Sequence, residues 1–575
     1  MDSAGTGTTS VNAPEVDRLP TAGADVADPV EAIDPNATGP VTESPEGEGP
    51  RHPVRGPLLG AGDHIEHFSR RVTVAIGVAV GLILVASLVL RFWTRSDLWL
   101  DEALTVNIAK LPLHDLPSYL KRDGAPPLFY VLLHFWMGIF GSSDLAVRSL
   151  SGVMGVITVP LAWVAGRRLG GRVIGFSAMI LVATSPFAVR YDTEARMYAL
   201  VALLTVLGYL ALDRALRQPR AGNFIAVAVV TGLLLYSHYW SIYLIGTTLL
   251  WLAFQAWRGR AVWRRNARVA FVAVVVGCLT FVPWFEIFLY QSKHTGTPWS
   301  APANFAAMVN AITSFAGGPT SQGRVLALIF FALSGLGVFG MAVNRRHIDI
   351  DIRTRPLGRP MAVVVVGTLG LAIVGGFISN SAFDARYASI VFIPLILLVA
   401  LGLSTFLDLR IRAVILAVAV VAGLAGAIPN ITTNRTQAGQ VAAALAPRAK
   451  PGDVIAYCPD QLGPAVNRLL PQGRYQQITF PRGTSPTYVN WVDYSAASHH
   501  GSPVRFADQL ERMAGPTHQI FVVWFGGYQT FGTRCEQILQ TLGYDTKLQS
   551  TSLLTGHTAQ FYQPMGLVQY APIKP

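Results

Sequence analysis

Two adjacent carboxylates, Asp101 and Glu102, stand in the run Asp97-Leu98-Trp99-Leu100-Asp101-Glu102-Ala103, just past an apolar stretch at residues 71–93. Acids beside a membrane surface are costly unless they are solvated, paired or catalytic. A carboxylate so placed can take the proton of a hydroxyl. Other polar residues recur at the ends of later apolar stretches. Asp123 precedes Pro126-Pro127, and Arg148 heads the next stretch. Further on come Arg190-Tyr191-Asp192-Thr193-Glu194-Ala195-Arg196-Met197-Tyr198, then His238-Tyr239-Trp240, then Asp384-Ala385-Arg386-Tyr387. Arginine grips phosphate oxygens through a planar fork. Aromatic faces and hydrogen-bonding side chains suit sugars. The set holds the parts for hydroxyl activation, anion clamping and carbohydrate contact, provided one scaffold brings them to one face.

Composition says what that scaffold is. The 575 residues are 51% hydrophobic and only 14% charged, against about 25% charged in a soluble protein. Most of the chain is therefore lipid-dissolved. A helix needs about 20 apolar residues to cross the hydrocarbon. Eleven stretches qualify: 71–93, 145–166, 172–189, 197–214, 222–238, 240–257, 268–289, 323–343, 360–379, 387–407 and 411–429. A twelfth, 126–141, is apolar but short. The net charge of +12 is a topology signal, because the basic residues fall in short clusters between apolar stretches. If 126–141 does not cross, clusters such as Arg167-Arg168, Arg264-Arg265 and Arg345-Arg346 all fall on the cytoplasmic side. That segment is accordingly expected to lie in the interface, within a first outer loop spanning 94–144. The acid pair, the 190–198 run, His238 and Arg386 then share the outer face. No basic stretch is interleaved with stacking aromatics, which argues against nucleic acid.

Plainer roles exist for each residue. Asp101-Glu102 could cap a helix over Ala103–Lys110, since acids favour helix N-termini. Arg148 and Arg386 could be snorkelling anchors. Arg190, Asp192, Glu194 and Arg196 could pair with one another, and His238 could be an interfacial packing residue.

The two ends differ from the middle. Residues 1–68 are acidic, rich in Pro, Gly and Ala and almost without aromatics, and are expected to be a disordered cytoplasmic tail. Residues 69–430 form the expected membrane domain. Residues 431–575 read as a small extracytoplasmic α/β domain, with helix candidates at Gln437–Arg448 and Cys535–Leu542 and strand candidates at Asp453–Tyr457 and Gln519–Trp524. Cys458 and Cys535 could bond there if the compartment is oxidising.

The pieces Leu98-Trp99-Leu100-Asp101-Glu102-Ala103, Ala125-Pro126-Pro127-Leu128-Phe129-Tyr130, Val147-Arg148-Ser149-Leu150, Ser185-Pro186-Phe187 and Glu194-Ala195-Arg196-Met197-Tyr198-Ala199-Leu200, in this order, resemble the GT-C superfamily of polyprenyl-phosphate-dependent glycosyltransferases. The branch they look most like is that of the protein O-mannosyltransferases and lipid A aminoarabinose transferases. The resemblance implies a first-loop general base, which falls on Asp101, and a lipid-linked sugar as donor. It implies sugar binding or acceptor orientation for Glu102 and a hold on the donor phosphate for Arg148 and Arg386, with Arg196 and Tyr387 beside them. Asp123, Asp192, Glu194, His238 and Tyr198 are the expected sugar- or acceptor-binding residues. The Pro pair here follows Gly124-Ala125, unlike the Glu-Lys or His-Pro-Pro contexts of those two groups, so the acceptor does not carry over. The expected partners are a polyprenyl-phosphate sugar, membrane lipids, and an envelope glycan, lipid or protein as acceptor. A divalent cation could bridge phosphate and Asp101, but no cofactor is expected to be required and no metal cluster is expected. The acidic Ala/Gly/Pro-rich tail and the excess of Arg over Lys suggest an actinobacterial, high-GC genome and a role in cell-wall biogenesis. Mannose is the favoured sugar and arabinofuranose the second. A flippase or transporter and a non-catalytic envelope scaffold are the readings from other classes.

Overall fold

The computed structural model describes residues 70–259, 261–296, 304–379, 383–527 and 531–573. The expected acidic tail lies outside the described residues. From Arg70 onward the chain forms one compact unit. It is a helical polytopic membrane protein with a small C-terminal sheet domain.

Helices occupy all eleven expected stretches. Among the described residues, six are long and apolar enough to cross a membrane, or up to eight if each of two bent pairs is one span. The bends have a common cause. The expected span 172–189 breaks at Ser185 into Arg172–Thr184 and Pro186–Asp192, bent by 56°. The span 268–289 breaks ahead of Pro283 into Trp263–Leu279 and Val282–His294, bent by 69°. Proline has no N–H to continue the ladder and pushes the residue before it out of helical geometry. At the first break the Ser185 hydroxyl accepts the Ala188 N–H, restarting the helix. The loop between Leu90 and Asp144 holds three helices, Leu100–Ala109, Leu116–Asp123 and Leu128–Phe140. The last is the expected interfacial helix, 13 residues long and started by Pro127. The His134 ring lies 2.8 Å from the Ala109 carbonyl and ties it to the first. A two-stranded hairpin, Gly340–Ala342 with Ile348–Ile350, was not foreseen from the sequence.

The C-terminal segment builds a five-stranded sheet in the spatial order Gln476–Thr479, Val454–Cys458, Ile520–Trp524, Gly566–Pro572, Leu548–Leu554. The first three strands are parallel and the last two antiparallel to their neighbours. The expected strands and helices are present, shifted by a few residues. Every residue of Val454–Cys458 is buried, as a central parallel strand requires. Cys458 at its end is bonded to Cys535, with Cα atoms 5.5 Å apart.

Asp460, just beyond that strand, is 1% exposed and accepts a hydrogen bond from the Tyr494 hydroxyl. Burial pushes its carboxyl up from 3.8 to about 7, against the pull of the Tyr494 hydrogen bond and Arg482. The folded state thus holds the proton more tightly than the unfolded chain. Its contribution to stability is full below pH 3.8 and is lost as pH rises through 7. Asp460→Asn should flatten the decline in stability of this domain between pH 4 and 7, read as the pH dependence of the thermal midpoint; an unchanged slope would refute the assignment.

Candidate active site

Asp101 and Glu102 lie in the first turn of Leu100–Ala109, not ahead of it. The helix starts three residues earlier than the sequence suggested. Trp99 is the N-cap and supplies no side-chain acceptor. The Leu100 N–H instead donates to Oε1 of Gln563, 3.1 Å away and 463 residues later in the chain. Both acids gain from the positive end of the helix dipole. Successive residues on a helix point about 100° apart, so the two carboxylates reach different surroundings.

Glu102 points inward and is fully buried. Arg148 grips it bidentately, Nε to Oε1 at 2.7 Å and Nη2 to Oε2 at 2.6 Å. The Ala195 N–H adds a bond of 3.0 Å to Oε1, and Arg435 Nη1 stands 3.9 Å from Oε2. Burial alone would raise this carboxyl, but Arg148, Arg435 and the Ala195 amide together hold it below the usual range. Arg148 spends its other contacts on the Ser96 and Asp97 carbonyls at 2.6 and 3.1 Å. The structure therefore corrects two expectations. Glu102 does not face a sugar, and Arg148 does not face a phosphate, because each is consumed by the other. The pair locks the helix Leu100–Ala109 onto the helix Asp144–Gly170.

Asp101 points the other way, with its side chain 16% exposed. Its Oδ2 receives Arg386 Nη1 at 3.0 Å, and Arg196 Nη2 stands at 3.9 Å. Arg386 is oriented by Asp384 at 3.2 Å and lies over the rings of Tyr387 and Trp99. Arg196 Nη1 donates to Thr105 Oγ1 at 2.9 Å and to the Tyr130 hydroxyl at 3.3 Å. Tyr130 in turn donates to Asp123 Oδ2 at 2.6 Å. Burial raises the Asp123 carboxyl, with Arg196 and Tyr130 opposing. Asp123 ends its helix against Gly124 at φ +84°, where a Cβ would meet Thr295 Oγ1 at 2.7 Å. The structure thus brings Asp101, Asp123, Arg196 and Arg386 into one cluster. Tyr198 joins them from below. It is 1% exposed, and its hydroxyl, like Arg196 Nε, has no hydrogen-bond partner.

The remaining expected residues lie elsewhere. Asp192 forms a buried ion pair with Arg91 at 2.8 Å, in a gap that exists because residue 155 is glycine. Glu194 is 1% exposed and pairs with Arg190 at 3.3 Å. Burial raises its carboxyl, with Arg190 and Arg435 opposing. Both acids are engaged by an arginine, Asp192 by Arg91 and Glu194 by Arg190, and Asp192 also lines a small cavity with Tyr191 and Tyr198. His238 is buried between the rings of Tyr198 and Tyr387, with centroids at 5.9 and 5.4 Å. It packs the aromatic floor of the cluster.

Several residues of the site were missed. Arg91 sits at the end of an apolar run and could have been flagged as a buried charge wanting a partner. Arg435 follows the last expected span. Its guanidinium reaches Thr193 O and Oγ1 at 2.9 and 2.7 Å. Tyr130, Thr105 and Gln563 carry no sequence signal of their own. Among the described residues, no three His, Cys, Asp or Glu side chains converge into a set that could hold a metal ion.

Comparison with known proteins fits this geometry. Residues 124–286, which carry Tyr130, Arg148, Arg196 and Tyr198, match the family model of dolichyl-phosphate-mannose-protein mannosyltransferases. ArnT from Cupriavidus metallidurans, solved bound to undecaprenyl phosphate, superposes with a TM-score of 0.50 at 14% identity, over 87% of this chain and 98% of that one. The chain has the GT-C fold. The Archaeoglobus fulgidus oligosaccharyltransferase, solved with a tethered acceptor peptide, superposes at TM-score 0.46 and 11% identity, over 86% of this chain and 74% of that one. No curated protein sequence matches the chain.

Proposed function

We propose that this chain is a glycosyltransferase that moves a sugar from a polyprenyl-phosphate donor to a cell-envelope acceptor at the outer face of the plasma membrane, with Asp101 as general base. The observation that carries the reading is the partly exposed Asp101 carboxylate set between Arg386 and Arg196. Both arginines approach Oδ2, which leaves Oδ1 to accept the acceptor hydroxyl. As that oxygen attacks the anomeric carbon, its proton passes to Asp101. The bond from the anomeric carbon to the phosphate oxygen breaks, and its electron pair leaves with the polyprenyl phosphate. Arg386 and Arg196 meet the growing phosphate charge, and the unpartnered Tyr198 hydroxyl and Arg196 Nε are donors a phosphate oxygen would satisfy. One displacement inverts the anomeric centre.

The family description favours mannose as the sugar. An outward site accords with the arginine clusters, which this topology leaves on the cytoplasmic side, and with the Cys458–Cys535 bond, which suits an oxidising compartment.

The test is transfer by the purified chain in proteoliposomes, given labelled polyprenyl-phosphate-mannose or polyprenyl-phosphate-arabinose and a panel of envelope glycans, lipids and peptides. Transfer from the mannose donor is expected. Binding without transfer from any donor would leave the scaffold reading standing in its place. Arg386→Ala should raise the donor KM by about 10- to 100-fold, the worth of one charge-assisted hydrogen bond. An unchanged donor KM would remove Arg386 from the phosphate site.

A further inference from the structure

The first turn of the catalytic-loop helix is held from the far end of the chain. Gln563 is 2% exposed. Its Oε1 accepts both the Leu100 N–H at 3.1 Å and the Thr436 hydroxyl at 3.0 Å, while its Nε2 donates to the Gln461 carbonyl at 3.1 Å. Those three bonds fix which way the amide faces, since a flipped amide would set N–H against N–H. The backbone on either side is tied as well: the Gln563 N–H donates to the Arg435 carbonyl at 2.8 Å, and the Gln437 N–H to the Gln563 carbonyl at 3.2 Å. Leu100 is the residue before Asp101. A free helix N-terminus frays, and a side-chain acceptor stops it.

We propose that Gln563 is a positioning residue of the transfer reaction: its side-chain oxygen caps the catalytic-loop helix and sets the Asp101 carboxylate against Arg386. The inference rests on Asp101 being the base. It gives the C-terminal domain a part in catalysis that does not depend on what that domain binds. Rate is sensitive to sub-ångström placement of a reacting group, so a frayed first turn lowers turnover without altering the surfaces that bind donor and acceptor.

The experiment compares wild type with Gln563→Leu, which removes the cap. Thr436→Val, which removes only the hydroxyl that orients Oε1, is the milder variant should the leucine variant not fold. Each is assayed for kcat and for donor and acceptor KM, and the Leu100 and Asp101 amides are followed by hydrogen exchange in the full-length protein. The leucine variant should lose about 10- to 100-fold in kcat with both KM values unchanged and exchange at least about tenfold faster at Leu100. The valine variant should lose severalfold. A leucine variant with wild-type kcat overturns the proposal, as does one whose kcat falls while Leu100 exchange stays unchanged. Wild-type transfer that survives Asp101→Asn removes the base instead, and the exchange result then decides separately whether Gln563 holds the helix.

Discussion

Asp101→Asn should abolish measurable transfer while leaving a folded protein that still binds the lipid-linked donor. The substitution keeps shape and one acceptor oxygen, so Arg386 retains a partner at the position now 3.0 Å from Oδ2. What it removes is basicity. General-base catalysis contributes about 10²- to 10⁴-fold. The expected result is a kcat lower by about three orders of magnitude, with donor affinity within a few fold and the thermal midpoint nearly unchanged. Donor binding followed by single-turnover transfer separates the two. Retained single-turnover transfer at more than a tenth of the wild-type rate would mean that another group takes the proton; Asp123, linked through Tyr130 and Arg196, is the first to examine.

Glu102→Gln is the converse case, one residue away. It should cost folding rather than chemistry. Glu102 answers Arg148 directly and Arg435 at 3.9 Å, inside a region closed to water. Removing its charge leaves the buried Arg148 without its direct counter-ion and Arg435 with Glu194 alone, and breaking a buried pair costs about 3–5 kcal/mol. The expected outcome is a sharp fall in the yield of folded protein from detergent, with the surviving fraction retaining near-normal KM values. Replacing Glu102 and Arg148 together by Met should recover part of the loss, since a buried pair exchanged for apolar groups is often close to neutral. A double-substitution cycle then isolates the pair. A Glu102→Gln protein that is as stable as wild type but inactive would return this residue to a direct role with substrate.

The contrast between these neighbours bears on how much the sequence reveals. Apolar run lengths were enough to place a helix in each of the eleven expected stretches, because apolar periodicity acts locally, but among the described residues only six to eight of these are long and apolar enough to cross a membrane. The acids, the arginines and Asp123 were visible as types. Their division of labour was not. Arg148 and Arg386 look alike from sequence, both heading apolar stretches on one face; only packing shows that one is sealed against Glu102 and the other opens on Asp101. Glu194 pairs with Arg190, and His238 packs between Tyr198 and Tyr387, contacts that residue type alone did not select. The bends at Ser185 and before Pro283 were legible in principle, since each has proline at its break, but long apolar runs outweighed them. Gln563 was invisible, because a glutamine that caps a helix 463 residues away leaves no local pattern.

That same separation has a consequence for biosynthesis. The chain is made from its N-terminus, so Leu100 emerges and inserts long before Gln563 exists. At about 5–20 residues per second, the interval is roughly half a minute to a minute and a half. Throughout it the first turn of the helix lacks its cap, however well the spans have already threaded into the bilayer. On the proposed role of Gln563, the cap arrives only after the strand Gly566–Pro572 pairs into its sheet and carries the adjoining Gln563 into place. A chain that ends before Gln563 would insert its spans into the bilayer yet turn over more slowly, by about the 10- to 100-fold expected of the uncapped helix.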